Sequence, residues 1–334
     1  MNLDLKMIEG ALMETGRFSG LTLEPFGTTG NNRVFKLKTD YAVFLVKHYF
    51  QHPGDQRDRF AAEHAFYEFV WRSGTDQIPR PFAWLPESRI GVFEFLEGSK
   101  PVSVLAEMTR QAAHFFLHLN RLRADPASNR IPYASEACFS LRSHLGLVDA
   151  RVNRLSGISV ESAVDEAAAE FVLGQLETAW KLIKKRIETI AGPGSLDVVI
   201  EPKLRCLSPS DFGFHNSIVK PDGRVQFFDF EYAGWDDPAK TVCDFFCQPS
   251  IPVPEGLREE FLCLILQEDL FPRLGERVKL LLPLYQIKWC CILLNEFLPV
   301  SALRRRFSNP LENSLDRKSS QLNKAVKALS NIRL

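Results

Sequence analysis

The period of the sequence changes near Gly98, and that change limits the chain to folds in which a small sheet precedes a body of helices. Before it, residues 21–26, 33–38, 41–49, 80–85 and 90–96 are short apolar and aromatic runs bounded by turn formers, which is the pattern of strands. A link rich in Gly and Asn follows the first run and Thr39-Asp40 follows the second, so the sheet should start antiparallel. One helix is expected among the strands, over 56–71, where Phe60, Glu63, His64, Tyr67 and Val70 keep helical spacing and Gly74 lies just beyond as a stop. After Gly98 the helical period dominates, at 102–123, 161–190, 238–246, 257–270, 278–297 and 311–329, with 124–140 as a loop. The expected class is α+β in two lobes, an antiparallel lobe over 1–98 and a helical lobe over 99–334.

One β signal stands inside the helical half. Residues 216–220 and 225–230 flank Pro221-Asp222-Gly223-Arg224, where Pro presets a turn and Gly tolerates positive φ, so a hairpin is expected. Directly before it Asp211 and Asn216 stand five positions apart, and Asp229 closes its second strand. A carboxylate and an amide oxygen suit Mg²⁺, a hard cation that takes few protein ligands and shares the rest with phosphate. A further carboxylate remains to accept a hydroxyl proton. An Asp, an Asn five later and a second Asp together supply the parts of phosphoryl transfer.

Composition agrees with small-molecule chemistry. The 41 basic and 41 acidic side chains cancel, which argues against a nucleic-acid binder, because such binding is driven by counterion release at a basic surface. Asp4, Glu9 and Glu14 interrupt residues 1–18, so no signal peptide is expected. The apolar stretch 280–300 carries Pro283, Lys288, Asn295 and Glu296 and reads as a core helix, with no membrane insertion. The 7 cysteines form no CxxC pair, Cys243 and Cys247 read as buried thiols, and the expected compartment is the cytoplasm.

The segment Asp211 to Asn216, followed by Phe228-Asp229-Phe230-Glu231-Tyr232-Ala233-Gly234-Trp235-Asp236-Asp237-Pro238 and Asp244, resembles the aminoglycoside phosphotransferase and choline kinase family, and its Asp-Phe-Glu-Tyr-Ala-Gly run resembles the choline and ethanolamine kinase branch. The resemblance implies the protein-kinase-like fold, a catalytic loop at 208–216 with Asp211 as base, and a metal-binding segment at 228–238, with Asn216 and Asp229 holding Mg²⁺. It further implies that Lys47 binds phosphate and pairs with Glu63, and that Gly30, Asn31 and Asn32 lie in a loop over the phosphates. A hinge at Phe93-Glu94-Phe95-Leu96 would offer backbone groups of Glu94 and Leu96 to adenine. ATP is the expected nucleotide, with GTP left open. The likeness runs from about Leu21 to Asp244. The chain departs from the family where Pro209 and Gly213 stand in place of its usual histidines, and the alternative reading is therefore an inactive nucleotide-binding or regulatory protein of the same fold.

For a small-molecule hydroxyl acceptor the candidates are Glu231, Trp235, Tyr285, Trp289 and Glu296, since an aromatic box with a carboxylate attracts an amine. Core packing is the competing reading of the helical aromatics. Amino alcohol, aminoglycoside and sugar all stay open as acceptors, while Asp237 and Asp244 are expected to fix the loop by capping the helix that begins at Pro238.

Overall fold

The computed structural model describes residues 2–27, 32–51, 57–298 and 314–333. The chain divides into two compact units, each assembled from two segments. Unit 1 comprises Met1–Ser135 and Pro209–Gly234, and unit 2 comprises Glu136–Ser208 and Trp235–Leu334. Gly98 lies inside unit 1. There the backbone of Ser99 exchanges two hydrogen bonds with Val219, which ties the chain after the sheet to the hairpin of residues 217–227.

Unit 1 holds five antiparallel strands, β1 (Thr22–Pro25), β2 (Arg33–Lys38), β3 (Val43–His48), β4 (Pro81–Leu85) and β5 (Ile90–Glu94), in the order β1-β2-β3-β5-β4. Period-two alternation decides what each face carries. Phe35 pairs with Val46 and Leu37 with Phe44, and these side chains pack with Ile8 and Leu12 of helix α1 (Asn2–Glu14) in one core. The next residue along β3, Lys47, therefore lies on the other face. There Glu63 of helix α2 (Arg59–Trp71) meets it. Asp58 caps α2 by accepting from Ala61 N at 3.0 Å.

An aromatic ladder continues from that face. Tyr67 packs on Phe93 and Trp84, and Phe230 packs on Phe66, Tyr67 and Phe115 of helix α3 (Ala106–Arg121), with Phe227 stacked on Phe115. The Ser217–Val219 and Val225–Phe227 hairpin is antiparallel and is fastened by Phe227 N to Gln77 O and by Val225 N to the Gln111 side chain, both at 2.8 Å. The expected turn at 221–224 is present, with Gly223 at φ +84°.

Unit 2 is helical: α4 (Leu141–Leu155), α5 (Ala163–Phe171), α6 (Glu177–Ala191), α7 (Pro238–Cys247), α8 (Arg258–Leu266), α9 (Leu274–Leu294) and a last helix at Ser314–Ser330. The helix expected over 161–190 is α5 joined to α6 through a π turn at Val172–Leu176. Helix α9 is the axis of the unit and packs against α4, α6, α7 and the last helix. Leu274–Phe297 is long and apolar enough to cross a membrane, but 56% of its apolar window is buried inside the protein. All seven cysteines are free thiols.

Two helices went unread in the sequence. Helix α1 carries Leu5, Ile8 and Leu12 at helical spacing and packs them against the sheet. Helix α4 also carried a signal: Leu141, Leu145, Val148, Val152 and Leu155 at helical spacing, after a Ser140 that forms a capping box with Ser143.

Candidate active site

The site is built within unit 1 from two short clusters. In the first, the Lys47 ammonium on β3 is 2.6 Å from Glu63 Oε2, donates to Asp229 Oδ1 and lies 3.5 Å from Glu231 Oε2. Glu63 also accepts from Tyr49 Oη at 2.6 Å and, through its other oxygen, from the backbone N–H of Phe230 at 2.9 Å. One carboxylate on α2 thus fixes both the lysine and the backbone beside Asp229. Burial works against the Lys47 charge, but Asp229, Glu63 and Glu231 outweigh it and raise its pKa, so the ammonium stays protonated.

Asp229 has the opposite balance. Burial pushes its carboxyl up to about 7, with Lys47 opposing and the charges of Glu231 and Glu63 adding to the rise. It sits at φ +68°, a backbone conformation that Asp tolerates at a cost of order 1–3 kcal/mol and that is characteristic of functional sites. Its side chain keeps 28% of its surface exposed, whereas those of Lys47 and Glu231 are buried.

Glu231 takes Asn32 Nδ2 and lies 3.6 Å from Arg59 Nε. Burial raises its pKa, and Lys47, Asn32, Tyr232 and Arg59 together lower it by more. The other end of the Asn32 amide accepts from Phe50 N at 3.2 Å. Glu231, expected at the acceptor, and Asn32, expected over the phosphates, are therefore placed against each other and against the Lys47 cluster.

The second cluster is the loop of Asp211. Ser210 at φ +64° and a hydrogen bond from Phe212 N to Ser210 O (2.7 Å) turn the chain, and a 3-10 turn at Phe214–Asn216 brings the end of the loop back to its start. Asn216 Nδ2 donates to Asp211 O at 3.0 Å and to Oδ2 at 3.2 Å, while His215 Nε2 lies 3.1 Å from Asp211 Oδ1. Phe228 N donates to Asn216 O at 3.0 Å, so the loop and the segment bearing Asp229 are joined one residue before that aspartate. The amide oxygen of Asn216 is the end turned away from these donations, and Glu63, Asp229 and Glu231 bring carboxylate oxygens within 4.8 Å of one another, donors of the hard kind that Mg²⁺ takes. Around Lys47 and Arg59 stand three carboxylates, an excess of negative charge that a divalent cation offsets.

Other expected site residues are placed elsewhere. Glu94 ends β5, where its backbone N–H donates to Arg80 O (2.8 Å) and its side chain accepts from Arg80 N (3.1 Å); Leu96 follows, half-buried. Gly30 and Asn31 lie outside the described residues. The remaining acceptor candidates belong to unit 2. Tyr285 is buried with its hydroxyl on His144 Nδ1 at 2.6 Å, Trp289 donates to Asp244 at 2.9 Å, Glu296 is buried against Arg317, and Trp235 is half-buried. The chain's own Lys288 ammonium lies 5.3 and 5.8 Å from the centroids of the Tyr285 and Trp289 rings and 2.8 Å from Asp244. The aromatic pair thus already holds a cation. Asp237 caps α7 as expected, accepting from Ala239 N at 2.7 Å, whereas Asp244 lies within α7 and pairs with Lys288.

Among solved structures the chain is similar to the choline kinase LicA from Streptococcus pneumoniae, with 17% identity, 97% of this chain and 99% of that one covered and a TM-score of 0.57. It is also similar to a choline/ethanolamine kinase family protein from Mesorhizobium loti, with 15% identity, 95% and 90% coverage and a TM-score of 0.55. A third is spectinomycin phosphotransferase APH(9)-Ia in complex with ADP and spectinomycin, with 10% identity, 94% and 93% coverage and a TM-score of 0.60. At these identities the likeness is one of fold, and the fold is the expected protein-kinase-like α+β arrangement. No curated protein matches the chain in sequence. The family model described as phosphotransferase enzyme family matches residues 22–262, which span the five-stranded sheet, the Asp211 loop and the Asp229 segment, and the chain belongs to that family.

Proposed function

We propose that the chain transfers the γ-phosphoryl group of ATP to a hydroxyl of a small molecule. The observation that supports this most strongly is Lys47, held at once by Glu63 and Asp229, in the same unit as an Asp211 carboxylate braced by Asn216. Asp211 orients the acceptor hydroxyl and accepts its proton as the O–P bond forms. Lys47 turns its positive charge toward phosphate oxygens, and Glu63 keeps it from following them. Asn216 and Asp229 would hold Mg²⁺, which neutralises charge on the β and γ phosphates when bound. Positioning and electrostatics would supply most of the rate.

The similar structures named above include a choline kinase and a spectinomycin phosphotransferase, so amino alcohols and aminocyclitols head the acceptor list, with neutral sugars beside them because Lys288 already occupies the aromatic pair. The test begins without an acceptor. Thermal unfolding with ATP or GTP, with and without Mg²⁺, should show a Mg²⁺-dependent stabilisation of about 2.7 kcal/mol at ligand near 100 times its Kd. ADP release is then measured across hydroxylated acceptors. Absence of any nucleotide-dependent shift would sink the proposal. A shift without ADP formation in any mixture would favour a protein that binds nucleotide and does not turn it over, the reading suggested by Pro209 and Gly213.

A further inference from the structure

We infer that His215 is a positioning residue that sets the rotamer of the Asp211 carboxylate, an inference that rests on the proposed function. Its Nε2 lies 3.1 Å from Asp211 Oδ1, and a carboxylate oxygen accepts only, so Nε2 carries the hydrogen and donates it. Asn216 Nδ2 donates to the other oxygen at 3.2 Å. The two donors grip opposite oxygens and thereby fix the plane of the carboxylate. The Asp211 side chain is 36% exposed, so an acceptor hydroxyl has room to reach it.

The other ring nitrogen carries the distinguishing observation. His215 Nδ1 is buried with no hydrogen-bond partner among the described residues. Most buried side-chain polar atoms have a hydrogen-bond partner. His144 in unit 2 has one at each nitrogen, with Tyr285 Oη at 2.6 Å on Nδ1 and Asp237 Oδ2 at 2.9 Å on Nε2. Among the described residues His215 leaves one nitrogen unsatisfied and keeps its side-chain contact with Asp211. Local geometry explains why it reaches: the 3-10 turn brings positions four and five after Asp211 back over it, one supplying the imidazole and the next the amide.

A group that aligns a base acts on turnover and leaves nucleotide affinity unchanged. We expect His215→Ala to lower kcat roughly 10- to 100-fold, as misplacement of a reacting group does, with the Mg²⁺-ATP thermal shift intact. His215→Gln, whose amide N–H can replace Nε2–H, should recover most of the loss. His215→Phe, which fills the same space without a donor, should behave like Ala. The readouts are ADP formation with the acceptor found in the screen and nucleotide affinity on the same preparations. Recovery by Phe but not by Gln, or kcat within twofold of the parent in both Ala and Phe variants, would overturn the inference and leave the function standing. A parent chain that binds Mg²⁺-ATP but forms no ADP would instead remove the function and the role of His215 with it.

Discussion

Each unit buries a cluster of charges, and the two clusters are balanced differently. In unit 2, Lys240, Lys288 and Arg277 meet Asp236, Asp244 and Asp237 one for one, between α9 and α7, whose first turn Asp237 caps in ordinary geometry. In unit 1, among the described residues, Lys47 and Arg59 meet three carboxylates, Glu63, Asp229 and Glu231, and Asp229, which shares Lys47 with Glu63, is the partly exposed one, on a left-handed backbone. Matched buried ions hold a structure and answer to nothing outside it. A carboxylate that shares its cation is open to a second one, and burial, with the charges of Glu231 and Glu63 adding to it and Lys47 opposing, pushes the Asp229 carboxyl up to about 7.

The comparison can be broken by substitution. Asp211→Ala should reduce turnover by 10²-fold or more while sparing nucleotide binding, and turnover near the parental rate would remove the base from the mechanism. Lys288→Met leaves Asp244 buried without its closest ammonium and should destabilise the chain by about 3–5 kcal/mol, read by urea unfolding; a loss under 1 kcal/mol would mean that unit 2 is less matched than its geometry suggests. The pH dependence of stability sharpens the point. Burial pushes the Asp237 carboxyl up, but His144 and Arg277 outweigh it and hold the pKa at about 2, below the ordinary 3.8. A depressed carboxylate stabilises the fold above its unfolded pKa and loses that contribution as pH falls through the folded one. Asp237→Asn should therefore cost about 2 kcal/mol at pH 6, and the gap should close between pH 4 and pH 2. The smallest effect belongs to Asp229→Asn, which relieves the crowding with Glu231 and Glu63 and keeps a residue that tolerates positive φ. Stability without ligand should change by less than about 1 kcal/mol, while the Mg²⁺-dependent nucleotide shift disappears.

What the sequence disclosed follows from how local each feature is. The strands of the sheet and helix α2 were legible because period and turn chemistry act within a few residues. Asp211, Asn216 and Asp229 stood out because a hairpin keeps them near one another along the chain. The cluster around Lys47 was harder to read, since Glu231 and Asn32 meet across 199 positions and no spacing announces that contact. The surroundings of the aromatic pair were hidden for a related reason: Tyr285 and Trp289 lie on the expected helix, but helical spacing does not announce that the Lys288 ammonium stands within reach of both rings. His215 could be seen as a polar neighbour of Asn216, yet only the orphaned Nδ1 separates it from a histidine such as His144.

The division of the chain also sets a timetable for synthesis. A ribosome delivers the whole sheet, Lys47 and Glu63 with Met1–Ser135, then makes the first part of unit 2 before Pro209–Gly234 emerges to complete unit 1. Until then Lys47 has Glu63 and lacks both Asp229 and Glu231, and the aromatic ladder ends without Phe230. The nascent sheet thus waits with an open flank for the length of that intervening segment, and closing it is a long-range event, slow relative to local helix formation. A product that terminates early, before residue 209, would keep Lys47 and Glu63 and lose Asp211, Asn216 and Asp229, the groups proposed to handle the hydroxyl and the metal.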